Sequence, residues 1–139
     1  YNKIKIMTVK ETNAVWKEFD EQKITHSATH YLFSIDGLLK ENGYARAVDI
    51  SRSLNITAGS CSTGLKSLVK KGFIDEDKNK FIKLTAYGEE IIKRIEQNRI
   101  GLISFFQKTL KLDEKTATVN ACKIEHLIDS EVVEKMKAL

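Results

Sequence analysis

Residues 57–84 read TAGSCSTGLKSLVKKGFIDEDKNKFIKL, and this segment is the most informative about the fold. Thr57 is of a type that commonly caps a helix, and apolar residues follow it at helical spacing. These residues, expected to face inward, are Cys61, Leu65, Leu68 and Val69. Gly72 is expected to end the helix, because glycine readily adopts the left-handed conformation found there. Two short apolar runs then flank a charged turn at 75–80, which predicts a β-hairpin.

Two further helices precede this stretch. Apolar residues within 28–39 follow helical spacing behind Ser27, a plausible N-cap, and Gly43 is expected to end that helix. A shorter helix follows and is expected to end at Asn55. The order helix, helix, turn, helix, hairpin is that of a winged helix-turn-helix. The predicted fold class is therefore mainly α with a small β-hairpin wing, followed by a helical lobe.

Three more helices are predicted after the hairpin. Thr85 is expected to cap a long helix that is broken near Gly101, Asp113 to open the next, and Ser130 to start a short last one. The predicted organisation is an N-terminal extension over 1–24 that is partly helical, a winged helix-turn-helix over 25–95, and a helical lobe over 96–139.

Composition excludes several classes of protein. The chain has 139 residues, and no apolar run approaches the roughly 18–20 residues that a membrane-spanning helix needs. Residues 1–20 contain no continuous apolar block, so no signal peptide is expected. Two cysteines give no disulfide framework, which favours the reducing cytoplasm as the location.

The positive charge is concentrated in the predicted third helix and hairpin. Residues 57–83 contain six lysines and three acidic residues, so they supply three of the four net positive charges. A solvated surface would also explain such a run, and some winged helices bind only proteins. The charge together with the order of elements favours DNA binding. The candidate DNA-contacting residues are Thr57, Gly59, Ser60, Ser62, Thr63, Lys66, Ser67 and Lys70 on the third helix, and Lys78, Asn79 and Lys80 in the wing.

A candidate metal site lies near the C-terminus. Cys122, Glu125 and His126 are spaced i, i+3 and i+4, which places them on one side of a helix. A thiolate, a carboxylate and an imidazole suit a divalent transition metal, although a packed cysteine beside a solvated Glu-His pair would explain the pattern too. Such a site needs a further donor. The remaining histidines, His26 and His30, are the candidates, and the pattern does not fix the direction of His26.

The chain resembles the diphtheria-toxin-repressor family, the iron- and manganese-dependent repressors of the DtxR/MntR type. The similarity runs from about Ser27 to Leu139, and its most specific motifs are 27–32 (SATHYL), 72–74 (GFI) with 83–88 (KLTAYG), and 121–126 (ACKIEH). The resemblance implies a DNA-binding lobe followed by a metal-binding and dimerisation lobe. It also implies the short form of the family, without an additional SH3-like domain.

The resemblance places the primary metal site on His30, Cys122, Glu125 and His126. The position of His30 is usually Met or Asp in the family, and histidine there should suit Fe(II), Zn(II) or Co(II). The positions of a second, ancillary site correspond to Arg99, Ile103 and Thr118, none of which is a good ligand. One divalent ion per subunit is therefore expected: Fe2+ or Mn2+ from the resemblance, with Zn2+, Co2+ and Ni2+ also compatible.

The sequence thus predicts a homodimeric repressor in which a divalent metal bridges the two lobes and controls binding to double-stranded DNA. Three other functions remain open. The first is a winged-helix regulator that responds to another signal. The second, a small metalloenzyme with Glu125 as base, is disfavoured because no second acid or base is placed near it. The third is redox sensing through Cys61 or Cys122, each of which lacks an obvious resolving cysteine.

Overall fold

The computed structural model describes residues 5–20 and 24–139. It contains these elements in chain order: α1 (Val9–Asp20), α2 (His26–Asn42), α3 (Ala47–Leu54), α4 (Ala58–Lys70), β1 (Ile74–Glu76), β2 (Ile82–Leu84), α5 (Ala86–Lys108), α6 (Glu114–Ile124) and α7 (Ser130–Lys137). The mainly helical fold with a two-stranded wing is confirmed. Helix α1 forms part of the predicted N-terminal extension, while 1–4 and 21–23 lie outside the described residues.

The predicted helix starts are confirmed at three positions. The side chains of Thr57, Thr85 and Asp113 each accept a hydrogen bond from the backbone N–H three residues later, at the starts of α4, α5 and α6. Each side chain thereby satisfies one of the N–H groups that the first turn of a helix leaves unpaired. The hydroxyl and carboxylate residues at these positions therefore determine where the helices begin.

Helix α2 begins earlier than its predicted cap. Thr25, and not Ser27, is the N-cap, because the Thr25 Oγ1 accepts a hydrogen bond from the Ala28 N–H at 3.1 Å. The Thr25 hydroxyl therefore makes the capping hydrogen bond that the sequence pattern had assigned to Ser27. His26 consequently becomes the first residue of α2 and shares the helical geometry of His30.

Helix α5 runs without a break through Gly101, where the sequence predicted an interruption. Gly101 instead allows α5 to pack closely against α7, because a methyl group at this position would overlap the side chain of Val133. The close approach of α5 and α7 therefore needs a residue without a Cβ at 101.

The wing is an antiparallel hairpin fixed at its tip and at its base. Strands β1 and β2 pair with Ile74 opposite Leu84. At the tip, the Asp77 Oδ1 accepts hydrogen bonds from the N–H groups of Asn79, at 2.8 Å, and Phe81, at 3.0 Å. At the base, the guanidinium of Arg46 lies 4.3 Å from the centre of the Phe81 ring and donates to the carbonyl of Asn79 at 2.8 Å. The hairpin is therefore held against the start of α3.

Two hydrophobic cores share helix α5. The larger one lies among α2, α3, α4, the wing and the first half of α5, where Ile92 and Ile95 are buried. The smaller one contains Leu102 of α5 with Ala121 of α6 and Val133 of α7. The predicted domain boundary after residue 95 lies inside α5, and it stays a prediction.

One predicted core residue lies elsewhere. Val69 is 41% exposed, whereas Cys61, Leu65 and Leu68 are buried as expected. Val69 lies about 100° around the helix axis from Leu68, at the edge of the buried face of α4, and is therefore more exposed.

Among residues 5–20 and 24–139, none of the helices has the length and apolar character that would let it cross a membrane.

Gly64 allows α2 and α4 to pack closely, so we expect Gly64→Ala to destabilise the protein. A Cβ at this position would overlap the ring of Tyr31, whose hydroxyl donates to the carbonyl of Ser60 at 3.2 Å. Overpacking of this kind costs about 1–3 kcal/mol of unfolding free energy, measurable by urea denaturation. Gly59→Ala is the matched control, since its Cβ would meet no atom within 4 Å. Equal stability of the two variants would contradict the prediction.

Candidate metal centre and nucleic-acid interface

Three metal-binding side chains meet between α2 and α6. His26 and His30 lie one helical turn apart on α2, and Cys122 lies on α6. One ligand atom from each of the three lies within 4.8 Å of the other two. The His30 Nε2 is 3.9 Å from the Cys122 Sγ, across 92 residues of chain. The cluster therefore connects the larger core to the C-terminal helices.

His126 lies beside this cluster. Its ring centre is 5.3 Å from that of His26, and the rings of His26 and His30 are 4.3 Å apart. The His126 side chain is buried, and its Nδ1 has no hydrogen-bond partner. Desolvation by the groups packed around them, followed by repulsion from His26, lowers the pKa of the partly desolvated His30 and of the buried His126. A lowered pKa favours the neutral imidazole, which is the form that binds metals.

Glu125 does not join the cluster in this structure. Its carboxylate forms two hydrogen bonds with the guanidinium of Arg99, Nε to Oε2 at 2.6 Å and Nη2 to Oε1 at 2.7 Å. The Glu125 side chain is 1% exposed, and this hydrogen-bonded pair raises the pKa of Arg99. The guanidinium carbon also lies 4.5 Å from the centre of the Phe33 ring on α2. Arg99 thus neutralises a buried carboxylate and contacts both lobes.

The helix that was expected to carry all three C-terminal donors ends at Ile124. Glu125 and His126 lie in the turn that follows, because the N–H groups of Leu127 and Ile128 both donate to the carbonyl of Ile124. Asn98 on α5 stabilises this turn. Its side-chain amide is buried and donates to the carbonyls of Glu125 at 3.2 Å and Ile128 at 3.1 Å.

Of the four residues in the predicted site, the structure brings His30 and Cys122 into direct proximity and places His126 next to them. The sequence pattern left the direction of His26 open, because the predicted cap of α2 lies two residues too late. The family resemblance placed Arg99 at an ancillary-site position and gave no sign that it pairs with Glu125. Imidazoles, a thiol and a buried ring nitrogen without a partner fit a divalent transition metal of borderline softness.

The positions that correspond to the ancillary site hold no cluster of donors. Arg99 is paired with Glu125, Ile103 packs against the smaller core, and Thr118 is exposed. Within the part of the chain that is described, the group of His26, His30 and Cys122 is the one that unites three potential ligands. One ion per subunit stays a prediction.

The candidate DNA-contacting residues form an exposed surface on α4 and the wing. All eleven residues, from Thr57 and Gly59 through Lys70 and the wing residues 78–80, are exposed. Some also have structural partners: the Thr57 hydroxyl donates to the Ser60 Oγ at 3.0 Å, and the Lys80 Nζ lies 3.3 Å from a Glu76 carboxylate oxygen. Lys66 and Lys70 extend from α4 on this surface.

Cys61, the other cysteine, is buried on the inner side of α4. Its side chain is 1% exposed, and burial raises the pKa of the thiol. Because the thiolate is the reactive form, this cysteine has the properties of a packing residue rather than of a redox sensor.

The known proteins to which this chain is similar include a repressor domain and two transcriptional regulators. The family model described as "Iron dependent repressor, metal binding and dimerisation domain" matches residues 85–139. The chain is 31% identical over 115 residues to an uncharacterized HTH-type transcriptional regulator of Methanocaldococcus jannaschii, covering 82% of this chain and 92% of that protein. It is 30% identical over 112 residues to the HTH-type transcriptional regulator MntR of Shouchella clausii, covering 81% and 78%.

A solved structure resembles the fold as well. The crystal structure of IdeR from T. acidophilum superimposes with a TM-score of 0.60 at 25% identity. The match covers 78% of this chain and 51% of that one. The similarity therefore extends over both the winged region and the C-terminal helices.

Asn98 holds the turn that presents His126, so we expect Asn98→Ala to destabilise the protein. The substitution leaves two carbonyls without their donor, at about 1–3 kcal/mol for each buried group that stays unpaired. Urea denaturation measures the loss of unfolding free energy. Gln97→Ala, an exposed position on the same helix, is the control and should change stability by less than about 0.5 kcal/mol. A neutral Asn98→Ala would show that water replaces the amide.

Proposed function

Because the chain belongs to the family of iron- and manganese-dependent repressors of the DtxR/MntR type, we propose that it is a metal-dependent, DNA-binding transcriptional repressor that acts as a homodimer. Its relatives are named as transcriptional regulators, a class of proteins that generally acts by binding. The observation that carries the proposal is the 3.9 Å approach of the His30 Nε2 to the Cys122 Sγ, from two parts of the fold that have separate cores.

His30, Cys122 and His126 are the residues of the predicted set that we propose as ligands. A bound divalent metal would supply a bond between α2 and α6. Glu125, the remaining residue of the predicted set, is ion-paired with Arg99 beside these ligands. Imidazole and thiolate donors bind each of the divalent ions that the sequence suggests, with different affinities. These ions are those of iron, manganese, zinc, cobalt and nickel.

The packing of α2 explains how such a bond can reach the DNA-binding surface. Tyr31, the neighbour of His30, donates a hydrogen bond from its hydroxyl to Ser60 on α4, and its ring packs against Gly64. Fixing α2 relative to α6 therefore fixes α4 relative to the C-terminal helices. Ligand binding favours the arrangement in which all donors converge, to the extent of its differential affinity for that arrangement.

We propose that the second subunit packs against the C-terminal half of the chain, which the family model matches. Ile100, Val119 and Val132 are 62%, 46% and 46% exposed, although all three side chains are apolar. A homodimer that buries them would set the distance between its two α4 helices. Dimeric helix-turn-helix proteins bind half-sites about one turn of DNA, or a multiple of it, apart, so the distance between the two α4 helices determines whether both fit.

On DNA, the exposed face of α4 has chemically distinct parts. Lys66 and Lys70 suit phosphate oxygens, while Ser62, Thr63 and Ser67 are small enough to approach base edges in the major groove. Lys78 and Asn79 at the wing tip would contact the neighbouring backbone. This division predicts that the lysines supply affinity and the hydroxyl residues supply sequence preference.

We expect His30→Ala to lower metal affinity and metal-dependent DNA binding together, since one side chain serves both. Metal titration by calorimetry and DNA binding by fluorescence anisotropy, each with Fe(II), Mn(II), Zn(II) and Co(II), measure the two effects. Ser27→Ala, on the same helix and exposed, is the control. DNA binding that is tight without any metal and unaffected by His30→Ala would favour a regulator that responds to another signal.

We expect Lys66→Ala to weaken binding to all DNA sequences by a similar factor, because a phosphate contact carries no sequence information. The slope of log affinity against log salt should decrease by about 1. Lys93→Ala removes an exposed lysine of α5, outside the proposed surface, and should leave both quantities unchanged. An equal effect of the two substitutions would argue against α4 as the DNA-binding helix.

A further inference from the structure

His26 is positioned to bind the same ion as His30. Thr25 caps α2, so His26 is its first residue and lies one helical turn before His30 on the same side. The rings of the two histidines are 4.3 Å apart, and ligand atoms of both lie within 4.8 Å of the Cys122 Sγ. The His26 ring is also 5.3 Å from that of His126. His26 therefore neighbours donors of both α2 and the C-terminal helices.

Glu125 is engaged away from these donors. Both of its carboxylate oxygens accept hydrogen bonds from Arg99, and the carboxylate is almost fully buried. Coordination of a metal by Glu125 would require breaking both bonds and leaving the guanidinium beside a divalent cation. The guanidinium keeps its charge at any pH a protein tolerates. Its contact with the Phe33 ring further fixes its position.

Resting on the function proposed above, we propose that His26 is the fourth ligand of this site and that Arg99 is a positioning residue that keeps the Glu125 carboxylate from the ion. His26, His30, Cys122 and His126 then offer three imidazoles and one thiolate. This donor set suits zinc(II) or cobalt(II) and disfavours manganese(II), which prefers oxygen ligands. The sequence-based set with Glu125 contains an anionic oxygen donor in place of His26, so the two sets predict different metal selectivity.

Cobalt(II) bound to the full chain tests the ligand set directly. Thiolate coordination gives a charge-transfer absorption in the near ultraviolet, and the intensity of the visible bands reports coordination number. Competition with zinc(II) gives the zinc affinity. We expect His26→Gln to lower cobalt and zinc affinity at least tenfold and to alter the visible bands while the charge-transfer band persists. Ser27→Ala, the adjacent exposed residue, should match the unsubstituted protein.

Two further substitutions test the role of Arg99. We expect Glu125→Gln to leave the cobalt bands unchanged, because the carboxylate is not a ligand, and to lower cobalt affinity less than His26→Gln does. Arg99→Met should release the carboxylate and raise manganese(II) affinity relative to zinc(II) at least tenfold, a change of selectivity that loss of stability alone does not produce. Lys93→Met, an exposed position on the same helix, is the control. Circular dichroism verifies that each variant is folded, and Arg99→Gln replaces Arg99→Met if the latter is not.

The outcomes separate this inference from the proposed function. If the unsubstituted protein binds cobalt(II) with a thiolate band but His26→Gln has the same affinity and spectrum, His26 is not a ligand and the inference is overturned. A more than tenfold loss with Glu125→Gln, with altered bands, would also overturn it. In both cases the proposal that the protein is a metal-dependent regulator remains supported. If the unsubstituted protein binds none of the metals tested, both proposals fail.

Discussion

Both hydrophobic cores are built on one continuous helix, α5, and the arrangement of the remaining elements depends on it. Its first half packs Ile92 and Ile95 among the helices of the winged region, and its second half packs Leu102 against α6 and α7. Asn98 and Arg99 lie between these halves and hold the turn after α6. An unbroken helix limits how far the two cores can move apart, so small displacements of α2 relative to α6 are the changes that a bound ion can control.

The sequence predicted the winged region well because its signals are local. Thr57, Thr85 and Asp113 cap helices with side chains that bond three residues ahead, and Gly43 and Asn55 end helices in left-handed conformations. Such interactions need no knowledge of distant residues. The misassigned cap of α2 also arose locally, since Thr25 and Ser27 offer the same chemistry two residues apart and the structure selects the threonine.

The candidate site was harder to predict, because its interactions connect residues far apart in the chain. The spacing of Cys122, Glu125 and His126 suggested three equivalent donors. Nothing within that segment indicates that Arg99, 26 residues earlier, engages the carboxylate. The role of Gly101 was likewise misjudged: α7, which makes glycine necessary there, follows some thirty residues later. A pattern therefore identifies which side chains can coordinate, whereas the fold decides which of them are free to do so.

The cluster between α2 and α6 has one side in solvent and one side in the protein. His26 and His30 are exposed, Cys122 is partly exposed, and His126 and Glu125 are buried. Exposed side chains change rotamer within picoseconds to nanoseconds, much faster than a core opens. In the proposed site, the exposed histidines of α2 would therefore be the donors released first, while the buried side of the site keeps its position. Loss of the ion would then require no unfolding of either core.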